Sequence, residues 1–170
     1  KSLFDINKVN LKIKKNCNLL FEVNKFEDLK LDLVIDVSDN VSVFLNMINI
    51  LKKAKIKTTI NLGINSYISI DKINDCDSAK EGLIINLNGE LAKADYNFKS
   101  VATSNETYDI VVNHQASKTE SMIKNNIINY TGNVLVQVST YIDKDYIETK
   151  ADQKNTIINL ANKKCEIKFY

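Results

Sequence analysis

The sequence predicts a mainly β protein. Apolar residues recur with period two, short breaks of Asn, Asp, Ser and Gly separate the runs, and tight-turn residues are scarce. The last observation narrows the architecture. Four glycines and no proline are few for a hairpin-rich antiparallel β-sandwich, whereas wide corners of Asn, Ser and Asp suit a β-solenoid. No strict short repeat is visible, so a solenoid here is an irregular one. On turn chemistry alone the antiparallel sandwich stays open as the alternative.

Taken along the chain, "LKLDLVIDV" places Leu29, Leu31, Leu33, Ile35 and Val37 on one face, with Lys30, Asp32 and Asp36 on the other. "VFLNMINILKK" is ambiguous, because Phe44, Met47, Ile48 and Leu51 also fit helical spacing. "SYISIDKI" alternates again, and "NGE" at 88–90 is the one strong hairpin-type signal. In "YDIVVNH", Ile110, Val112 and His114 share a face while Asp109 and Asn113 point away. "SMIKNNII" is the second stretch open to helix. "GNVLVQVST" aligns Val134, Val136 and Val138, and "CEIKFY" reads as a last strand on which Cys165 alternates with Ile167 and Phe169. About a dozen strands are expected in all.

A chain of 170 residues fits a single domain, 1–170, able to bury a sizeable core without metals or disulfides. Hydrophobic residues at 44% and charged residues at 26% are a globular balance, which excludes a disordered chain. All 23 basic residues are lysines, spread along the sequence with no basic block. Without arginine's planar fork or a phosphate-tracking stripe, nucleic acid is not the expected partner. The abundance of Asn, Ile and Lys has a genomic reading in AT-rich codons, and three Asn-x-Ser/Thr sites (Asn40, Asn105, Asn129) are expected by chance in such a chain. Cys17, Cys76 and Cys165 are few, odd in number and far apart, which predicts reduced thiols and a cytoplasmic location. Apolar runs are short and interrupted, so no membrane span is expected.

His114 is the only histidine, followed by Ser117, Thr119, Ser121 and Lys124. A Ser–His–Asp arrangement with Asp109 would need both residues on one side of the strand, and alternation separates them. No glycine-rich elbow exposes a serine and no G-K-[ST] loop cradles phosphate. A metal site would need several ligands drawn together, and Cys17 and Cys165 are the only candidates worth naming. No enzyme activity is expected; a polysaccharide-cleaving β-helix would call for arginine or tryptophan support around an acidic groove, and both are missing.

An ordered set of spacings carries a resemblance. "D-x4-H-x4-T-x-S-x2-K" runs through Asp109, His114, Thr119, Ser121 and Lys124. It is followed by "YTGNVLVQV" with Gly132, then by "ADQKNTIINL" with Ala151, Gln153 and Asn155. Upstream, "INSYISIDKI", "EGLIINLNGELAKADYNF" and "SVATSNETYDIVVNH" continue the pattern over roughly residues 60–165. This resembles the core of the SufB/SufD family, the scaffold proteins of the Suf iron–sulfur cluster assembly system. The resemblance implies a right-handed parallel β-helix and a non-catalytic scaffold. It also implies a SufB/SufD-type partner, a SufC-type ABC ATPase, and a transient iron–sulfur cluster held where two subunits meet; independently, an uncapped strand such as "CEIKFY" predicts a homodimer or a heterodimer with a longer relative. Within it His114, Thr119 and Ser121 would satisfy one another at a corner of the coil. Compared with the family this is a shortened member or fragment: "CEIKFY" stands where family members go on to a cluster-site segment and a helical ATPase-binding region. An alternative is a structural, oligomerising β-solenoid without cluster chemistry.

Overall fold

The computed structural model describes residues 8–24 and 27–170, so residues 1–7 and 25–26 of the expected domain lie outside the described residues. Among the described residues eleven strands are present: β1 (Lys8–Ile13), β2 (Cys17–Asn24), β3 (Asp28–Val37), β4 (Ser42–Leu62), β5 (Tyr67–Leu87), β6 (Lys93–Ala102), β7 (Glu106–His114), β8 (Glu120–Asn129), β9 (Val134–Ile142), β10 (Lys150–Asn159) and β11 (Cys165–Phe169). Every pairing among these described strands is parallel. That removes the antiparallel sandwich, because its hairpins cannot produce a purely parallel ladder. The chain is a β-solenoid of about six turns.

Two faces enclose the interior. The first stacks β2, the opening half of β4, the opening half of β5, β6, β8 and β10. The second stacks β1, β3, the closing halves of β4 and β5, β7, β9 and β11. β4 and β5 pass from the first face to the second without a loop, around Lys52 and Asp77. Both stretches that were open to helix are strands, within β4 and β8. Local spacing there fitted either period, and pairing with neighbours in register decided for strand. "NGE" is a correction too: it forms the corner between β5 and β6, strands that pair in parallel, and no hairpin is made.

The period-two pattern is the interior pattern. Leu31, Leu33, Ile35 and Val37 are buried, as are Val134, Val136 and Val138. Stacking repeats these residues rung by rung, so Ile35, Ile60, Ile85 and Val112 form one continuous interior column. Neighbouring rungs begin 24 residues apart, where Lys8 pairs with Asp32, and end 31 apart, where Val134 pairs with Cys165.

Corners repeat as well. Asn40, Asn65, Leu91, Lys118 and Glu148 all adopt left-handed backbone, with φ of 58, 51, 63, 58 and 56°. They occupy the same corner in successive turns: the Asn40, Asn65 and Lys118 amides donate to carbonyls of the next rung at 2.8, 2.8 and 2.9 Å. Asparagine tolerates this conformation, which accounts for two of the five. Asparagines also stack. Asn61 donates to Asp36 at 2.7 Å, Asn86 to Asn61 at 2.8 Å and Asn113 to Asn86 at 2.8 Å, an amide ladder on the outside of the second face. Codon bias aside, asparagine has a structural use here.

Candidate functional site

Three groupings of polar side chains arise from this stacking. The first is around His114, the last residue of β7. Its Nδ1 lies 2.8 Å from Thr119 Oγ1 and its Nε2 lies 3.0 Å from Ser121 Oγ. Thr119 spends its own proton on the Ala116 carbonyl at 3.1 Å, so Nδ1–H must donate to Thr119. Nε2 is then the lone-pair nitrogen and accepts from the Ser121 hydroxyl. The imidazole is neutral, and burial pushes its pKa down to about 4. A serine hydroxyl on Nε2 is the contact a nucleophile makes with its base. Here all three residues are buried, the orienting group is an uncharged hydroxyl, and Asp109 is exposed on the opposite side of β7. The trio is a buried, mutually hydrogen-bonded unit.

The remaining motif positions do not join it. Lys124 is exposed on the first face, in register with Asn97 and Lys154. Gly132 closes a corner: Asn129 Nδ2 donates to its carbonyl at 2.8 Å, and its amide donates to Asn129 Oδ1 at 3.1 Å. Gln153 is in register with Ile123, which pairs in turn with Tyr96, but it is exposed rather than enclosed and donates to Thr140 Oγ1 at 3.1 Å. Cys17 is half-buried on the first face in β2, and Cys165 is half-buried on the second face in β11. The two thiols stand on different faces at opposite ends of the stack and are not brought together. Among the described residues no three His, Cys, Asp or Glu side chains form a metal-binding group.

The second grouping escaped sequence reasoning. Lys72, Asn74, Glu81, Ser100, Glu106 and Tyr108 are all buried in the middle of the solenoid. Lys72 Nζ pairs with Glu81 Oε2. Asn74 Nδ2 donates to Glu81 Oε1 at 2.8 Å and to Tyr108 Oη at 3.2 Å. Tyr108 and Ser100 each donate to Glu106 Oε2 at 2.8 Å. Among the described residues Glu106 Oε1 has no partner, and burial, the largest effect, raises its pKa above the ordinary carboxyl value. The sequence held one signal: Lys72, Asn74 and Glu81 fall at interior positions of their alternating runs, where apolar residues are the rule.

The third is an open groove of about 640 Å³ on the outside of the second face. Register builds it. Lys30, Lys55 and Lys80 stack in one column, and Asp32, Lys57, Gly82 and Asp109 stack in the next. Beyond them runs a smoother column of Val34, Thr59, Ile84 and Val111. The lysines that looked dispersed in sequence are gathered by the 25-residue separation of rungs.

No known protein family, curated protein or solved structure matches this chain. Among the described residues no helix is long and apolar enough to cross a membrane.

Proposed function

We propose that this chain is a non-catalytic scaffold of the SufB/SufD type. It would act in iron–sulfur cluster assembly through contacts with a SufB/SufD-type partner subunit and an ABC-type ATPase. One observation supports the non-catalytic part: the only histidine spends both ring nitrogens on buried hydroxyls and is not presented to solvent as a base. A parallel β-solenoid, the fold that the resemblance implies, supports the scaffold part. Its outer faces are regular ladders that a partner can read. Nascent cluster would be cargo, shared between subunits. Anaerobic reconstitution with iron and sulfide, alone and with candidate partner subunits, tests this reading. Failure to hold cluster in any combination, together with no binding to a Suf-type ATPase, removes it.

The separation of Cys17 from Cys165 favours a second reading, an oligomerising solenoid without cluster chemistry. A thiolate-ligated cluster that disappears on Cys17→Ser or Cys165→Ser would refute it.

A further inference from the structure

Lys30, Lys55 and Lys80 stand directly above one another on adjacent strands, in register. Like charges in such a column repel and destabilise the sheet. Ion pairs elsewhere relieve Lys72, Lys93, Lys118, Lys150, Lys164 and Lys168, but among the described residues none reaches these three or Lys57. The groove they line holds four ammonium groups against the carboxylates of Asp32 and Asp109, since Glu81 is already paired inside.

Gly82 is the second observation. Side chains at Gly63, Gly89 and Gly132 would collide with backbone of Asp39, Ile64 and Ser104, so packing explains those three glycines. Gly82 differs: a Cβ there meets nothing within 4 Å, and its φ is not positive. A glycine inside a strand costs stability, and neither space nor backbone requires this one. What it does is leave a notch in the groove floor between Lys57 and Asp109.

We propose that this groove docks an acidic, amphipathic α-helix of a partner protein, laid along the solenoid axis with its crest over Gly82. Spacing selects a helix. Lysines on adjacent rungs are about 4.8 Å apart, close to the helical pitch of about 5.4 Å, so acidic residues one turn apart meet successive lysines. On an extended peptide, same-side residues are about 6.7 Å apart and lose step after two rungs. Breadth agrees, because the lysine column and the Val34–Ile84–Val111 column are four residues apart along each strand. That is about 13 Å, which accommodates a helix of about 10–12 Å with its apolar flank on the aliphatic side. A nucleic-acid strand fits less well, since three rungs offer only about 10 Å of positive charge and Asp32 and Asp109 interrupt it. The proposal stands independently of any role in cluster assembly.

The test uses a fluorescent helical peptide with glutamates one turn apart on one side and leucines beside them, titrated onto the full chain at low salt. A single-stranded oligonucleotide of equal charge is titrated in parallel. Saturable peptide binding is expected, weakened about tenfold or more by raising salt toward about 0.5 M. Lys55→Glu combined with Lys80→Glu should abolish it. Gly82→Val should weaken it at least about tenfold while leaving the melting temperature unchanged or higher, since valine is the better strand residue. No peptide binding to the wild-type chain, or wild-type affinity in Gly82→Val or in the double lysine variant, would overturn the proposal. Equal affinity for the oligonucleotide would also overturn it, assigning the groove to polyanions at large.

Discussion

Lys72 and Glu81 belong to one strand, yet they face each other across the interior. β5 begins on the first face and ends on the second, and the bend at Asp77 turns two interior positions nine residues apart into an ion pair. Asn74 and Tyr108 tie the pair into the buried polar network.

Breaking that pair from one side leaves an uncompensated buried charge. Lys72→Met is therefore expected to destabilise by about 3–5 kcal/mol in denaturant unfolding. Adding Glu81→Gln removes the stranded charge and keeps an oxygen for Asn74, so the double variant should recover to within about 1–2 kcal/mol of wild type. Additive losses in the double variant would show that the two residues are not coupled.

His114 makes stability depend on pH in a defined direction. Its folded pKa is lowered to about 4 from an ordinary 6.5, so the folded state holds fewer protons than the unfolded chain between those values. The contribution is fully present above about pH 6.5 and is lost as pH falls toward about 4. Glu106, whose pKa is raised by burial, works in the opposite sense, because its folded form keeps a proton that the unfolded chain releases. Comparing wild type with His114→Gln isolates the imidazole. The stability difference between them should shrink steadily from pH 6.5 to pH 4; a constant difference would mean that His114 is not buried neutral.

Leu91 carries left-handed backbone with no chemical aptitude for it, at φ 63° and well exposed. Leu91→Asn should stabilise by about 0.5–1 kcal/mol, a rise of about 1–4 °C in Tm. An amide at this position would also extend the bond that Asn65 Nδ2 makes to Asn40 Oδ1 at 2.9 Å. Leu91→Val, β-branched and less tolerant of positive φ, should lower Tm.

The three thiols should separate by reactivity. Burial, the largest effect, pushes Cys76 up to about 12, and its side chain is almost wholly enclosed. Cys17 and Cys165 are half-buried. Under native conditions a disulfide reagent should label those two within minutes, with Cys165 slowed because burial raises its pKa, and should leave Cys76 until the chain unfolds. Rapid labelling of all three would contradict the packing around Cys76.

Much of the fold was legible because each strand carries its own burial code. The run from Leu29 to Val37 shows which side is inside before any neighbour is known. What could not be read locally is what only stacking creates. Met47 and Ile48 fit a helix until Met47 pairs with Lys72 in the next rung and the ladder decides. Asp36, Asn61 and Asn86 look like scattered surface residues, and so do Lys30, Lys55 and Lys80; both sets sit 25 residues apart and become columns. Comparing the chain with itself at that offset would have exposed both. The Lys72–Glu81 pair was hidden for another reason, since its geometry depends on a bend that no proline or glycine marks.

The lengthening of the rungs, from 24 residues to 31, has a practical side. Paired strands keep their alignment throughout, so extra residues are absorbed at the bends, most of all between Ile142 and Lys150. A peptide tag or a small foreign domain grafted at 143–145, ahead of the Ile147 bonds to Lys118 and Ser117, should leave the neighbouring layers undisturbed, making this bend a natural socket for engineering.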